Sequence, residues 1–346
     1  MLREMNYTIH NIFTFKVIGK RGFFGALKNI DVEYKNFRTN NGRKPDLTIY
    51  LGNFTPENHD CYIVDNKYYI KENYFYCEDS YKVARWKFEM TGFESSETNS
   101  LRVRLHTNIP GGIIIPGFII DHLIGYIMNK KSFPIIHGSC ISQNNRAYVF
   151  AAQGGSGKTT IALNFVRRGY KLLGDNFTIL HDGYALCFLS PLNLFYFNLL
   201  PMVKENMNTI SKIEYYLKYL LYKTIGIKIA TKVNVKDLFP NSIQTKSKLD
   251  TIFFLIPRKN FEIEEISKKE LIKHLIANQK VDSIPFLKYM LEYSYVFPNS
   301  NISKHWIQYE ENLKRAIDNK TLIFRVEVPR NAAETFNKIL SRVERK

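Results

Sequence analysis

The run Ala152-Gln153-Gly154-Gly155-Ser156-Gly157-Lys158-Thr159-Thr160 holds the clearest chemistry in the sequence. Glycines at this density let successive backbone N–H groups converge on one anion, and a lysine followed by a threonine completes a set suited to a nucleoside triphosphate. Gln153, Gly154, Gly155, Ser156, Gly157, Lys158, Thr159 and Thr160 are therefore the expected phosphate-binding residues. Lys158 would bridge the β- and γ-phosphates, and the Thr159 hydroxyl would reach a magnesium ion. The cofactors implied are ATP and Mg2+. At the first position of the usual pattern Ala152 stands in place of glycine, and its single methyl group is small enough to be tolerated.

Such a loop needs a strand before it and a helix after it. Ala147–Ala151 is a β-rich run, and a helix is expected from about Thr159 to Arg168. That helix ends in Arg167-Arg168-Gly169, where basic residues suit the dipole and a glycine suits a left-handed cap. Ile135–Ser142 is a second β-rich run, and Asn144-Asn145 between the two reads as a two-residue hairpin turn. In that register residue 137 faces residue 152, so His137 lies across from the first residue of the loop. Tyr170–Leu173 is expected to complete a right-handed βαβ unit, whose two strands end at one edge. Asp175, after Gly174, falls at that edge. A carboxylate there can take a proton from a hydroxyl or help to hold magnesium.

His137-Gly138, the loop Gly155-Ser156-Gly157-Lys158-Thr159, the helix end Arg167-Arg168-Gly169-Tyr170 and the strand Lys171-Leu172-Leu173-Gly174-Asp175 together resemble the HPr kinase/phosphorylase family and its kinase-like relatives. The resemblance is close over residues 137–180 and looser over 135–340. There Ser247–Arg258 is similar to a late strand, and Leu322–Ile339 to the closing strand and helix. It implies an α/β fold, a P-loop kinase of the HPr kinase/PEP carboxykinase type, with transfer of phosphate to a serine hydroxyl. It also implies that His137 and Asp175 handle the proton. Two departures matter. Asn176 stands where the family shows a second acid, and a neutral amide oxygen ligates Mg2+ with less charge to offset the ion. No counterpart of the family's Arg- and Gly-rich segment follows, which argues against HPr itself as substrate and against phosphorolysis.

The resulting expectation is an ATP-dependent kinase acting on a hydroxyl-bearing acceptor, a serine of a peptide or protein or a small-molecule alcohol. Lys158, Asp175 and His137 are its catalytic residues, with Asp175 the base and His137 orienting it or tuning its charge. Thr159, Asp175 and Asn176 are the candidate magnesium ligands. Two other readings stay open: a nucleotide-binding regulatory protein without transfer, which Asn176 favours, and a nucleic-acid-acting P-loop NTPase.

The rest of the chain must support this site. Its 346 residues, with 45% apolar and 14% aromatic, are ample for a packed core and suggest about two domains. Residues 1–110 read as a β-rich N-terminal module, a candidate holder of the acceptor, and 111–346 as the kinase-like domain. The net charge is +17, with Lys204–Lys236 the densest basic stretch, mixed with Tyr215, Tyr216, Tyr219 and Tyr222. The lysines are otherwise scattered, and no recognisable nucleic-acid motif accompanies them, so a dedicated nucleic-acid surface is not expected. The four cysteines show no Cys-x-x-Cys spacing, which points to a reducing, cytoplasmic setting. Met1–Asn6 carries no secretory apolar core. The most apolar stretch, Gly111–Met128, is interrupted by Pro116, Asp121 and His122. It reads as a buried helix from about Pro116 to Asn129, with no membrane span. Self-association is left open.

Overall fold

The computed structural model describes residues 2–20, 22, 25–40, 42–94, 101–195, 201–225, 230–329 and 332–344. The fold is mixed α/β, built on two large sheets. The chain divides into two compact units, one of Met1–Ser132 with Lys280–Glu310, the other of Phe133–Gln279 with Glu311–Lys346.

Among the described residues, eight strands form the sheet of the first unit. Across its width they run Leu2–Ile9, Phe13–Lys20, Leu47–Leu51, Leu101–Thr107, Ala84–Thr91, Tyr74–Tyr81, Tyr68–Lys71 and Tyr62–Val64. Leu47–Leu51 is parallel to both its neighbours and the other pairings are antiparallel. Alternation places Phe13, Phe15 and Val17 in the core from one strand.

The division differs from the expected boundary at residue 110, because two helical segments pack into the first unit. Asn29 Nδ2 donates to the Gly112 carbonyl at 3.0 Å, and Tyr126 Oη donates to the Phe93 carbonyl at 3.3 Å. From far along the chain, Tyr289 Oη donates to the Asp79 carboxylate at 2.7 Å and accepts from Trp86 Nε1 at 3.1 Å.

The apolar helix also starts earlier than expected. Asn108 caps it, its Oδ1 accepting from Gly111 N at 2.8 Å. Helix then runs through Pro116 in a π-helical segment, Pro116–Ile120, that absorbs the missing N–H. The result, Ile109–Lys130, is 22 residues long. By length and composition alone it could cross a membrane, which corrects the reading of a stretch cut short at Pro116; 61% of its most apolar window is buried within the structure.

In the second unit the sheet order is Arg146–Ala151, Ile135–Gln143, Phe177–His181, Tyr184–Leu186, Lys246–Pro257, Leu322–Val328 and Glu262–Glu265. Arg146–Ala151 also pairs in parallel with Lys246–Pro257, so the pairings close into a ring. Stacked rings mark its core: Phe150 on Phe253 with centroids 5.5 Å apart, Phe253 on Phe324 at 5.6 Å, and Phe150 on Phe165 at 5.7 Å. After Pro201 the chain forms two helices, Pro201–Asn206 and Thr209–Ile225.

Candidate functional site

The hairpin that leads into the glycine-rich loop forms in the expected register. Its pairs run from Arg146 opposite Gln143 to Ala151 opposite Gly138. Asn144 and Asn145 supply the turn in the left-handed region, with φ of +51° and +60°. His137 is the next position on its strand, and Ala152 follows the end of the other. The loop helix, Lys158–Arg167, then carries the chain to Lys171–Gly174, which pairs antiparallel with the far side of Ile135–Gln143. Both flanking strands are antiparallel to Ile135–Gln143 and hence parallel to each other. The βαβ unit is present, with one strand between its two.

Lys171–Gly174 and Phe177–His181 follow each other along the same edge of Ile135–Gln143. Between them the chain kinks. A Cβ on Gly174 would stand 2.3 Å from the Phe177 carbonyl oxygen, so only glycine fits. Asn176 takes a positive φ of +24°, and its carbonyl accepts from Gly138 N at 2.9 Å. Asp175 is held between these two residues and is buried.

Its carboxylate is the hub of the site. Ser139 Oγ donates to Asp175 Oδ1 at 2.6 Å, and Thr159 Oγ1 lies 2.9 Å from Oδ1 and 3.0 Å from Oδ2. Lys158, next to Thr159 and also buried, donates from Nζ to the carbonyls of Ala152 at 2.7 Å and Gln153 at 2.8 Å. Ser156 Oγ donates to the Gln153 carbonyl at 2.9 Å. Gly155 and Gly157 bend the loop with φ of +82° and +86°, while Gln153, Gly154 and Gly155 face solvent. Thr160, half-buried on the first turn of the helix, offers its carbonyl to Asn164 Nδ2 at 2.9 Å.

Burial raises the pKa of Asp175 above the usual carboxylate value. Hydrogen bonds from Ser139 and Thr159, then the charges of Lys158 and His137, oppose that rise without cancelling it. His137 and Ser139 are two apart on one strand and share a face. The His137 ring meets Phe177 edge-on, with centroids 6.0 Å apart. Lys158, Thr159, Asp175 and His137 thus converge at the end of the glycine-rich loop, and Asn176 sits beside them, half-buried.

No family model matches the chain, and no curated protein matches it. Among solved structures, the Hpr(Ser) kinase/phosphatase from Coxiella burnetii is a weak neighbour, 10% identical, covering 61% of this chain and 95% of that one with a TM-score of 0.28.

Two residues of the site escaped sequence reasoning. Ser139 needed only the strand alternation that already placed His137, two positions away. Asn278 carried no signal. It reaches in from the helix Lys268–Asp282, more than a hundred residues downstream, and is buried. Its Nδ2 lies 3.4 Å from the Ala152 carbonyl and 3.5 Å from that of His137, which ties the loop entry to the neighbouring strand.

Proposed function

We propose that this chain is an ATP- and Mg2+-dependent P-loop kinase that transfers the γ-phosphoryl group to a hydroxyl, of a peptide or protein serine or of a small-molecule alcohol. The observation that carries the reading is the buried Asp175 carboxylate, bonded to the hydroxyl of Thr159 beside Lys158 at the glycine-rich loop. A β-carbon on Gly154 or Gly155 would have no neighbour within 4 Å, so the open side of the loop has room for phosphate oxygens. The donor set suits the ion as well. Thr159 and Asp175 offer hard oxygen ligands. Among the described residues no group of three His, Cys, Asp or Glu side chains could hold a metal by itself. An ion that shares its ligands with substrate phosphates, as magnesium does, fits such a sparse set.

Gln153–Thr160 would hold the triphosphate, and Thr159 and Asp175, with Asn176 alongside, would hold the ion. When bound, Mg2+ supplies neutralising charge to the β- and γ-phosphates. Lys158 exchanges the Ala152 and Gln153 carbonyls for phosphate oxygens and offsets charge on the transferring group. Asp175 takes the proton of the acceptor hydroxyl as the new O–P bond forms and the bond to ADP breaks. Ser139 fixes the carboxylate's orientation, and the Ser139 and Thr159 hydrogen bonds favour its ionised form, with His137 on the same strand face as Ser139. The first unit is the proposed holder of the acceptor.

The test is acceptor-dependent ADP release from ATP, with serine peptides and small alcohols as acceptors. The wild type is expected to release ADP only with an acceptor, and Asp175→Asn to lose turnover by about a hundredfold or more while still binding ATP. Tight ATP binding with no acceptor-dependent release would establish the second reading, a nucleotide-binding protein, which the neutral Asn176 favours.

A further inference from the structure

The helix Thr209–Ile225 has two apolar sides. One is buried: Tyr215 belongs to the core of the second unit, and Lys218 Nζ donates to the Ala230 carbonyl at 2.9 Å. The other points to solvent. Ile210, Ile213, Leu217 and Leu220 recur at i, i+3, i+7 and i+10, which aligns them in one stripe. Each leaves between 56% and 78% of its surface exposed. A single exposed leucine needs no account, but four in register form a contiguous patch of the kind that meets a partner or a bilayer.

Charge selects between these. Exposed Tyr216 and Tyr219 border the stripe on the flank that also carries Lys212 and Lys223. Lys223 Nζ lies 5.8 Å from the Tyr219 ring centre, and Lys204, on the preceding helix, 5.6 Å from that of Tyr216. The whole chain carries +17. Such a charge repels a second copy and draws the molecule to an anionic surface. An apolar stripe, a tyrosine border and flanking lysines are the features with which a helix lies in the headgroup region of an anionic bilayer.

We propose that the exposed side of Thr209–Ile225 is a peripheral docking surface for bilayers containing anionic lipid. The four aliphatic side chains enter the acyl boundary, and Lys204, Lys212 and Lys223 sit among the lipid phosphates. Docking is independent of the reaction proposed at the glycine-rich loop and requires no spanning helix.

The full chain is sedimented with vesicles of phosphatidylcholine alone and of phosphatidylcholine with phosphatidylglycerol at about 3:1. The wild type is expected to bind the anionic vesicles and not the neutral ones. The double variant Leu217→Ser, Leu220→Ser keeps every lysine, and its bound fraction on anionic vesicles should fall about tenfold. Circular dichroism checks that it is folded. Equal binding by a folded double variant would overturn the proposal, since charge alone would then account for the affinity. Self-association of the wild type that the double variant abolishes would also overturn it, by assigning the stripe to a second copy. Leu217→Trp gives an independent readout: relative to the wild type, its emission should move to shorter wavelength on anionic vesicles. An unchanged emission would overturn docking through this face.

Discussion

Asp175 sits in surroundings that disfavour its charge, and that suits it to the role of base in the proposed transfer. Burial lifts its pKa, so the carboxylate is a stronger base than one in water, and folding bears the cost of ionising it at neutral pH. An asparagine has no charge to bury, and its Oδ1 can still accept from Ser139 and Thr159. Asp175→Asn is therefore expected to melt no lower than the wild type at pH 7.5 even as transfer is lost; a large fall in melting temperature would show the carboxylate to be a structural tie. Lys158→Ala removes the charge that, in the proposed reaction, offsets that of the transferring group, and should lower turnover by about a hundredfold or more. Unchanged turnover in that variant would end the kinase reading. In the proposed reaction His137 is a positioning residue that acts through Asp175. His137→Ala is expected to slow turnover about tenfold with ATP affinity by calorimetry nearly unchanged. A large loss of ATP binding would make His137 a structural part of the loop entry.

At the scale of elements, the site depends on a strand that is broken at the right place. Gly174 has carbonyl oxygens of Phe177 and Phe188 at 2.3 Å and 3.1 Å from where a Cβ would be, so any side chain there must push on backbone. Gly174→Ala is expected to cost about 2 kcal/mol or more of stability, read from the denaturant midpoint, and to disorder the Asp175–Ser139 pairing. A midpoint equal to that of the wild type would mean that the kink can relax. Elements set by near neighbours were readable from the sequence. The Asn144-Asn145 turn determines the hairpin register, and that register, which runs to Gly138 opposite Ala151, brings His137 to the entry of the loop. The long helix was misread because Pro116 is a local stop signal, and a π-helical turn overrides it once both flanks are packed.

For the molecule as a whole, acid should act on the first unit before it reaches the carboxylates. His305 is buried, with Nδ1 3.3 Å from Asn129 Nδ2, and burial pushes its pKa down to about 4. His122, half-buried, is likewise pushed down to about 4 by desolvation. Both rings stay neutral in the fold below pH 6.5 while the unfolded chain takes up protons, so stability falls as the pH drops from about 6.5 towards 4. His305 alone can remove up to about 3 kcal/mol across that window, and His122, less buried, a smaller amount. Asp79 titrates later. Burial disfavours its charge, but hydrogen bonds from Lys288, Lys67 and Tyr289 outweigh that and hold it at about 2, so its contribution is lost only below the ordinary aspartate range. Both tryptophans of the chain, Trp86 and Trp306, lie in the first unit, and their emission reports on it. The urea midpoint followed by that emission should drop between pH 7 and pH 4.5, and more gently in His305→Phe. A flat profile in the wild type would show that the rings protonate within the fold.

The sequence alone determined the loop, its hairpin and the arrival of Asp175 at the loop's mouth, because each depends on contacts between residues close along the chain. Spacing, turn chemistry and strand period suffice for those. Tertiary structure decided the rest: the return of residues 280–310 to the first sheet, the reach of Asn278 to the loop entry, and the outward face of Thr209–Ile225. These follow from which surfaces meet when distant segments compete for the same core, and an apolar residue has the same identity whether its face is covered or left to the solvent.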